Sequence, residues 1–143
     1  MKIIKEIEFN SRENEIKIEL LRGDGVRFTV IDDENEKITD IVELKAIHEQ
    51  DCCEHVYADF SILCYYKRKR SFDRNYKKLI IKEVPKAGLL LIFVRDRFFQ
   101  RKIFIPCYNE QNGYYSSDLT LQIKHNDKVE EIDISKSTQD LID

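Results

Sequence analysis

The fold of this chain is indicated first by one stretch, Leu89-Leu90-Leu91-Ile92-Phe93-Val94. All six residues are apolar, so the stretch lacks the apolar–polar alternation of a strand that has one face in water. Turn-forming residues precede it at Pro85–Gly88, and the polar segment Arg95–Arg97 follows it. A short apolar run between two turns is typical of a strand that is buried on both faces. We therefore predict that Leu89–Val94 is the central strand of a sheet.

Alternation of apolar and polar residues extends outward from this strand in both directions, as expected of half-buried strands. Towards the N-terminus, Ile16, Ile18 and Leu20 alternate with charged residues, and the glycines of Gly23-Asp24-Gly25 indicate a hairpin turn. Towards the C-terminus, the pattern predicts a strand over Phe98–Tyr108. The other predicted strands are Ile3–Phe9, Val26–Val30, Ile38–Ile47, Tyr76–Val84, Leu119–Ile123 and Val129–Ile134.

The number and spacing of these segments predict the fold class. Short strands separated by turns at about 8–12 residues are typical of all-β domains. The segment Val56–Arg70 fits both a helical and a β pattern, and we predict a short helix there. The expected fold is therefore mainly β, an antiparallel β-sandwich or partly closed barrel with one short helix. We predict a single domain over residues 1–143, with a frayed helical tail over 135–143.

The composition excludes several classes of protein. With 42% hydrophobic and 36% charged residues, the chain has the balance of an ordered globular protein instead of a disordered or fibrous one. Its longest apolar run, Ala87–Val94, is far shorter than the about 18 residues that indicate a membrane helix. The segment Met1–Glu6 lacks the apolar core of a signal peptide. We therefore predict a cytoplasmic protein, and we interpret its four cysteines as free thiols.

The densest group of reactive side chains is His48-Glu49-Gln50-Asp51-Cys52-Cys53-Glu54-His55. Its imidazoles and thiols are ligands of the kind that zinc takes, but the adjacent Cys52 and Cys53 lack the spacing of paired zinc ligands. Thiol catalysis is disfavoured as well, because Asp51 and Glu54 disfavour a thiolate between them. We predict no catalytic residue, no metal ligand and no cofactor; a metal-dependent or thiol enzyme centred on this segment is the alternative. In the plainest interpretation, one cysteine packs in the core while its polar neighbours face solvent or bond the backbone of a turn. If the segment instead contacts a ligand or partner, the predicted contact residues are His48, Asp51, Cys52 and Glu54.

Charge is distributed unevenly along the chain, whose net charge is −3. Residues 67–102 carry 13 Lys and Arg against 3 Asp and Glu, whereas both flanking regions are acidic. This pattern suggests either a surface that binds anions or charge matching, within the chain or between the subunits of a homo-oligomer. Tyr65, Tyr66 and Phe72 lie near the basic run, as in surfaces that hold phosphates and stack bases. The predicted phosphate contacts are Lys67, Arg68, Arg70 and Arg74.

Because the chain as a whole is acidic, a small anionic ligand such as a nucleotide is favoured over nucleic acid. A further candidate segment is Asn112-Gly113-Tyr114-Tyr115-Ser116, which is predicted to form a turn. Tyrosine and asparagine bury area while keeping a hydrogen-bonding tip, so Asn112, Tyr114 and Tyr115 complete the predicted contacts. A plain hairpin turn, with one tyrosine packed inward and one outward, is the favoured explanation of the segment. The chain contains no P-loop, dinucleotide-binding, zinc-protease or nucleophile-elbow motif, which argues against a familiar enzyme.

Two pieces of the sequence together resemble an uncharacterised family of small phage and prophage proteins. The first is the pattern HxQDCCExVY over His48–Tyr57, and the second is the Asn112–Ser116 turn with the alternating strand after it. Two strands precede the first piece in that family, and Lys2–Val30 fits them. The chain differs from the family at the basic stretch Cys64–Arg74 and at Ile47, where the family has tryptophan. The resemblance implies no activity, and it implies a phage-type protein that binds a host component.

From the residues and the resemblance together, we predict a non-enzymatic phage- or mobile-element-type accessory protein. Its partner is expected to be a host protein or a small anionic ligand such as a nucleotide, and no membrane contact is expected.

Overall fold

The computed structural model describes residues 1–49, 55–67, 73–110 and 117–141. Within them, the strands form two β-sheets, one of which curls into a half-barrel. The first sheet contains β1 (Lys2–Glu8), β5 (Val56–Ala58), β6 (Lys78–Val84), β7 (Gly88–Val94), β8 (Gln100–Asn109) and β11 (Gln139–Asp140). The second contains β2 (Asn14–Leu21), β3 (Gly25–Asp32), β4 (Ile38–Ile47), β9 (Thr120–His125) and β10 (Lys128–Asp133). The predicted mainly-β fold, with antiparallel sheets packed as a sandwich, is confirmed.

Eight of the predicted contact residues lie outside the described residues: Asp51, Cys52, Glu54, Arg68, Arg70, Asn112, Tyr114 and Tyr115.

The apolar strand β7 lies at the centre of the first sheet, between β6 and β8, as predicted. Leu89 and Leu91 point into the core and are fully buried. Ile92 points to the opposite face, where it lies between Ile80 and Lys102 of the neighbouring strands and is only 4% exposed. Because both faces are buried, the strand has no position that favours a polar side chain.

The core lies between the two sheets and draws on the inward-facing positions of both. On β3, Val26, Phe28 and Val30 share one face and are fully buried, as the period-two pattern predicts. The ring of Phe28 meets Phe93 of β7 edge-on, with 5.2 Å between the ring centroids, and so joins the two sheets. Burying one such side chain contributes about 1.5–3 kcal/mol.

The ambiguous segment after His55 combines both predicted conformations. Val56–Ala58 forms β5, which pairs with the end of β8. The Asp59 carboxylate then accepts a hydrogen bond from the backbone N–H of Ser61 and begins a 3-10 turn. The predicted short helix follows as α1 (Leu63–Lys67). Neither α1 nor any other helical segment in the described part of the chain has the length and apolarity needed to cross a bilayer.

The C-terminal segment differs from its predicted helical form. A 3-10 turn covers Ser135–Ser137, and Gln139–Asp140 then forms β11, which pairs in parallel with Tyr108 and Asn109 of β8. The side chain of Gln139 donates a hydrogen bond of 3.0 Å to the carbonyl oxygen of Ala87. The helical prediction is wrong for Gln139–Asp140, because β8 extends past the end of β7 and its backbone pairs with these residues.

Candidate functional site

A polar cleft of about 400 Å³ opens at one end of the sandwich. Three parts of the chain meet there: the turn between β2 and β3, the C-terminal end of β4, and the residues that precede β5. The side chains that give the cleft its chemistry are Arg22, Asp24, Lys45, His48 and His55. We refer to it below as the histidine cleft.

The turn between β2 and β3 forms one wall of the histidine cleft. Gly23 has a φ of +75°, a conformation that residues with a side chain rarely adopt, so glycine is favoured at this point of the hairpin. The carbonyl oxygen of Asp24 accepts a hydrogen bond of 2.8 Å from the backbone N–H of Ala46. This bond ties the turn to β4, and it places Arg22 and Asp24 beside Lys45.

His48 follows the last residue of β4 and lines the same cleft. Its Nδ1 lies 2.5 Å from the carbonyl oxygen of Asp118. A carbonyl oxygen only accepts, so Nδ1 of His48 is the donor in this bond. The contact fixes the orientation of the imidazole ring.

His55 is held in the histidine cleft by two side chains, those of Glu110 and Tyr57. Its Nδ1 lies 3.1 Å from Oε2 of Glu110, and its ring stacks on Tyr57 with 4.2 Å between the ring centroids. The Tyr57 hydroxyl donates a hydrogen bond of 3.2 Å to Oε1 of the same carboxylate. Burial raises the pKa of Tyr57, and the neighbouring Glu110 raises it further, so the phenol keeps its proton as a donor at neutral pH.

Asp24 is the acidic group of the histidine cleft. Burial raises the pKa of its carboxyl group, the nearby His55 opposes that shift, and Asp59 adds to it. Asp24 and His55 also line an adjoining cleft of about 330 Å³. Cys107 lies behind this region and is fully buried; burial raises the pKa of its thiol to about 12, so it acts as a core residue and not as a nucleophile.

The two cations of the histidine cleft, Arg22 and Lys45, have no carboxylate partner among the described residues. In the ranges that the structure covers, neither Arg22 nor Lys45 forms an ion pair, and both side chains are exposed. Among the described residues that line this cleft, Asp24 is the acidic one. Two cations and two imidazoles therefore face one carboxyl group within the described lining, a balance that favours an anionic ligand.

A resident metal site is not formed by the side chains that the structure places. Within residues 1–49, 55–67, 73–110 and 117–141, no three His, Cys, Asp or Glu side chains are arranged to hold a metal ion. The thiols of the alternative metal or thiol enzyme, Cys52 and Cys53, lie outside the described residues.

Of the predicted contacts that the structure describes, His48 lies in the histidine cleft and Arg74 lies elsewhere. The Arg74 guanidinium is 3.9 Å from the Glu15 carboxylate and 3.8 Å from that of Asp33. Glu15 stands near the start of β2 and Arg22 follows its end, about 23 Å away at about 3.3 Å per residue. The third predicted contact that the structure describes is Lys67, the last residue of α1. The structure therefore does not bring Arg74 together with His48.

The contacts of the two histidines join parts of the chain that are distant in sequence. His48 meets Asp118, and His55 meets Glu110. These four residues lie at or within two residues of the ends of the two segments that the sequence singles out, His48–His55 and Asn112–Ser116. The described residues next to both segments therefore lie beside the histidine cleft.

Sequence reasoning missed most of the residues that shape this cleft: Arg22, Asp24, Lys45, Tyr57 and Glu110. The sequence did contain a signal for two of them, because Arg22 and Asp24 are charged residues on either side of the turn glycine, Gly23. Glu110 carried no signal, because its position depends on the pairing of β5 with β8.

Comparisons of this chain with protein-family models, with curated proteins and with solved structures give no match. The resemblance to small phage proteins therefore stays a prediction.

Proposed function

We propose that this protein acts by binding, and that the histidine cleft takes a small anionic ligand of nucleotide size. The observation that carries the proposal is the convergence of Arg22 and Lys45, without ion-pair partners among the described residues, on a cleft shared with two histidines. A volume of about 400 Å³ suits such a ligand, because small-molecule sites span about 300–1,000 Å³.

Each side chain of the cleft has a role suited to this ligand. The planar guanidinium of Arg22 would bind a phosphate or carboxylate through two hydrogen bonds, and Lys45 would add a point charge. His55 stacks one face on Tyr57 and is more than half exposed, so its other face is available to a base. The Asp24 carboxyl group would accept a hydrogen bond from a sugar hydroxyl.

The biological setting belongs to the proposal as well. A phage- or mobile-element-type accessory protein in the host cytoplasm would use such a cleft to sequester a nucleotide. Binding to a host protein, the other predicted partner, is not needed for this role.

Ligand binding is tested by thermal shift and by titration calorimetry with ATP, AMP and inorganic phosphate at low salt. We expect at least one of them to stabilise the protein, and we expect Arg22→Ala and Lys45→Ala each to weaken binding about tenfold, as for the loss of a charge-assisted hydrogen bond. Lys17→Ala is the matched control, because Lys17 is an exposed lysine on the same strand as Glu15 and away from the cleft. No stabilisation by any of the three, or an equal loss in Lys17→Ala, would contradict the proposal.

The alternative, a metal-dependent or thiol enzyme centred on residues 48–55, makes a different prediction. It requires a stoichiometric metal ion in the purified protein, or a thiol that reacts rapidly at neutral pH. Elemental analysis and thiol titration measure both, and either result would favour the enzyme over our proposal.

A further inference from the structure

The turn between β7 and β8, Arg95-Asp96-Arg97-Phe98-Phe99, exposes two aromatic rings at the other end of the sandwich. The sequence predicts that Phe98 opens the following strand, but the strand begins at Gln100. The Asp96 carboxylate accepts hydrogen bonds from the backbone N–H groups of Phe98 (2.7 Å) and Phe99 (2.8 Å). These bonds bend the chain into the turn and leave the side chain of Phe98 85% exposed.

Both rings of this turn are paired with arginine side chains. The Arg97 guanidinium lies 4.8 Å from the centroid of the Phe98 ring, and Arg95 lies 4.2 Å from that of Phe99. Arg95 also donates two hydrogen bonds, of 2.9 and 3.1 Å, to the carbonyl oxygen of Arg74. Each aromatic ring is thus exposed together with a cation. The bonds to Arg74 anchor the turn to the segment that precedes β6.

Further cations surround the turn. The backbone N–H of Lys77 donates to the carbonyl oxygen of Val94 at the base of the turn, and Lys77 and Arg12 together line a small groove of about 170 Å³. Lys102 is exposed two residues into β8. Across the described ranges, Arg12, Lys77, Arg97 and Lys102 form no ion pair. We call this surface the basic end, defined by Arg12, Lys77, Arg95, Arg97, Phe98, Phe99 and Lys102.

We propose that the basic end binds single-stranded nucleic acid, with bases stacked on Phe98 and Phe99 and phosphates held by the surrounding cations. Surfaces of this kind combine cations that follow the backbone with aromatic rings that accept any base. A duplex would leave the rings unused, because its bases are already stacked. An acidic peptide would use the cations but would offer no flat surface to an almost fully exposed ring.

A membrane surface is disfavoured by the same geometry. Insertion of Phe98 into a bilayer would carry the Arg97 guanidinium, which lies over the ring, towards the hydrocarbon at a large cost. In water, by contrast, the pair is stable and one face of the ring remains open to a base.

This surface is separate from the histidine cleft. Gln100 begins β8 next to the basic end, and Glu110 follows its last residue beside His55, so the two regions are about 30 Å apart at about 3.3 Å per residue. The inference therefore does not depend on the ligand proposed for the cleft.

The test is fluorescence anisotropy with labelled single-stranded DNA and RNA of about 12 nucleotides, each compared with its duplex, at about 50 and about 200 mM salt. We expect binding to a single strand that weakens with salt. Phe98→Ala should weaken it about five- to tenfold, the lower end of the range for a lost base–aromatic stack. Phe98→Tyr should remain within about twofold of the wild type, because it keeps the ring.

Phe98→Leu separates base stacking from membrane insertion, because leucine keeps an apolar side chain and lacks an aromatic face. We expect it to behave like Phe98→Ala. Val129→Ala, which alters an exposed apolar residue on β10, is the control for nonspecific effects. Thermal unfolding of each variant checks that the exposed substitutions leave the fold intact.

Three outcomes would overturn the inference. They are no binding to either single strand at about 50 mM salt, wild-type affinity in Phe98→Leu, and tighter binding to the duplex or to vesicles rich in phosphatidylserine than to a single strand.

Discussion

Asp73, which precedes Arg74 in the chain, has a buried carboxyl group that is harder to ionise than an exposed one. It is only 6% exposed, and burial raises its pKa from 3.8 to about 6, with Arg101 opposing the shift. Because the folded pKa lies above the unfolded one, the folded state holds the proton more tightly. The tighter binding of the proton stabilises the folded state fully below pH 3.8, and this stabilisation is lost as the pH rises through about 6.

We therefore expect Asp73→Asn to stabilise the protein at neutral pH. The shift corresponds to about 3 kcal/mol at most, and we expect a gain of about 1–3 kcal/mol in the free energy of unfolding at about pH 7.5, with little gain at about pH 4. Urea unfolding at the two pH values measures it. Asp127→Asn, in an exposed turn, should change neither value, and an equal gain at both pH values would refute this account of Asp73.

Asp40 is fully buried, and hydrogen bonds from two residues hold its side chain. Its carboxylate accepts bonds from the backbone N–H of Asn10 (2.9 Å), the Asn10 side chain (3.1 Å) and Nε2 of His125 (2.8 Å). Asp40→Ala would leave these donors without their partner, at about 1–3 kcal/mol each where water cannot replace it. We expect a loss of at least about 3 kcal/mol in urea unfolding.

His125→Ala is the comparison for this prediction. It should cost less than Asp40→Ala, because the imidazole is 25% exposed and water can take its place beside the carboxylate. A larger loss in His125→Ala would mean that the ring, and not the carboxylate, organises this contact.

At the scale of elements, the pairing of β7 with β8 depends on a close backbone contact at Gly88. A Cβ on this residue would lie 2.1 Å from the carbonyl oxygen of Ile105 on β8, so the two strands would have to move apart. We expect Gly88→Ala to lower the free energy of unfolding by about 3 kcal/mol or more. Gly23→Ala is the matched glycine control: open space surrounds it and only its positive φ opposes alanine, at about 1–2 kcal/mol. Equal losses in the two variants would contradict this explanation.

The elements that sequence alone predicted are those set by local pattern. The apolar run of β7 and the hairpin signal at Gly23–Gly25 each contain the information that defines the element. The pairing of β11 with β8 was not predictable, because it depends on how far β8 extends beyond β7. The apolarity of Phe98 predicts a strand at that position. In the structure, the Asp96 side chain accepts a hydrogen bond from the backbone N–H of Phe98, and the chain forms a turn instead.

In the candidate site, too, local pattern was predictable from the sequence, whereas contacts that form only in the folded chain were not. His48 stood out because reactive side chains crowd around it in the sequence. Arg22, Lys45 and Glu110 did not, because they reach the histidine cleft from three elements that meet only in the folded chain.

At the scale of the whole molecule, the fold separates two cationic surfaces of different origin. The basic end collects residues of the charged block 67–102, together with Arg12. Arg22 and Lys45 of the histidine cleft belong to the acidic N-terminal half of the chain. Acidic residues outnumber basic ones there, so the net charge of that half gives no sign of a cationic site. The arrangement in space, and not the charge of a segment, therefore decides where an anion is attracted.

The separation of these surfaces leads to the last prediction, which concerns their independence. At about 30 Å, the distance between them is about three times the Debye length of about 10 Å at 0.1 M salt, so exposed charges at one end are screened from the other. Arg22→Ala should weaken the small anionic ligand about tenfold and leave single-stranded nucleic acid within about twofold, and Phe98→Ala should do the reverse. In the double variant the two losses should add, measured by calorimetry for the small ligand and by anisotropy for the oligonucleotide. If Arg22→Ala weakens the oligonucleotide as much as Phe98→Ala does, the strand must run the length of β8 from the basic end to the histidine cleft, and the two sites are one.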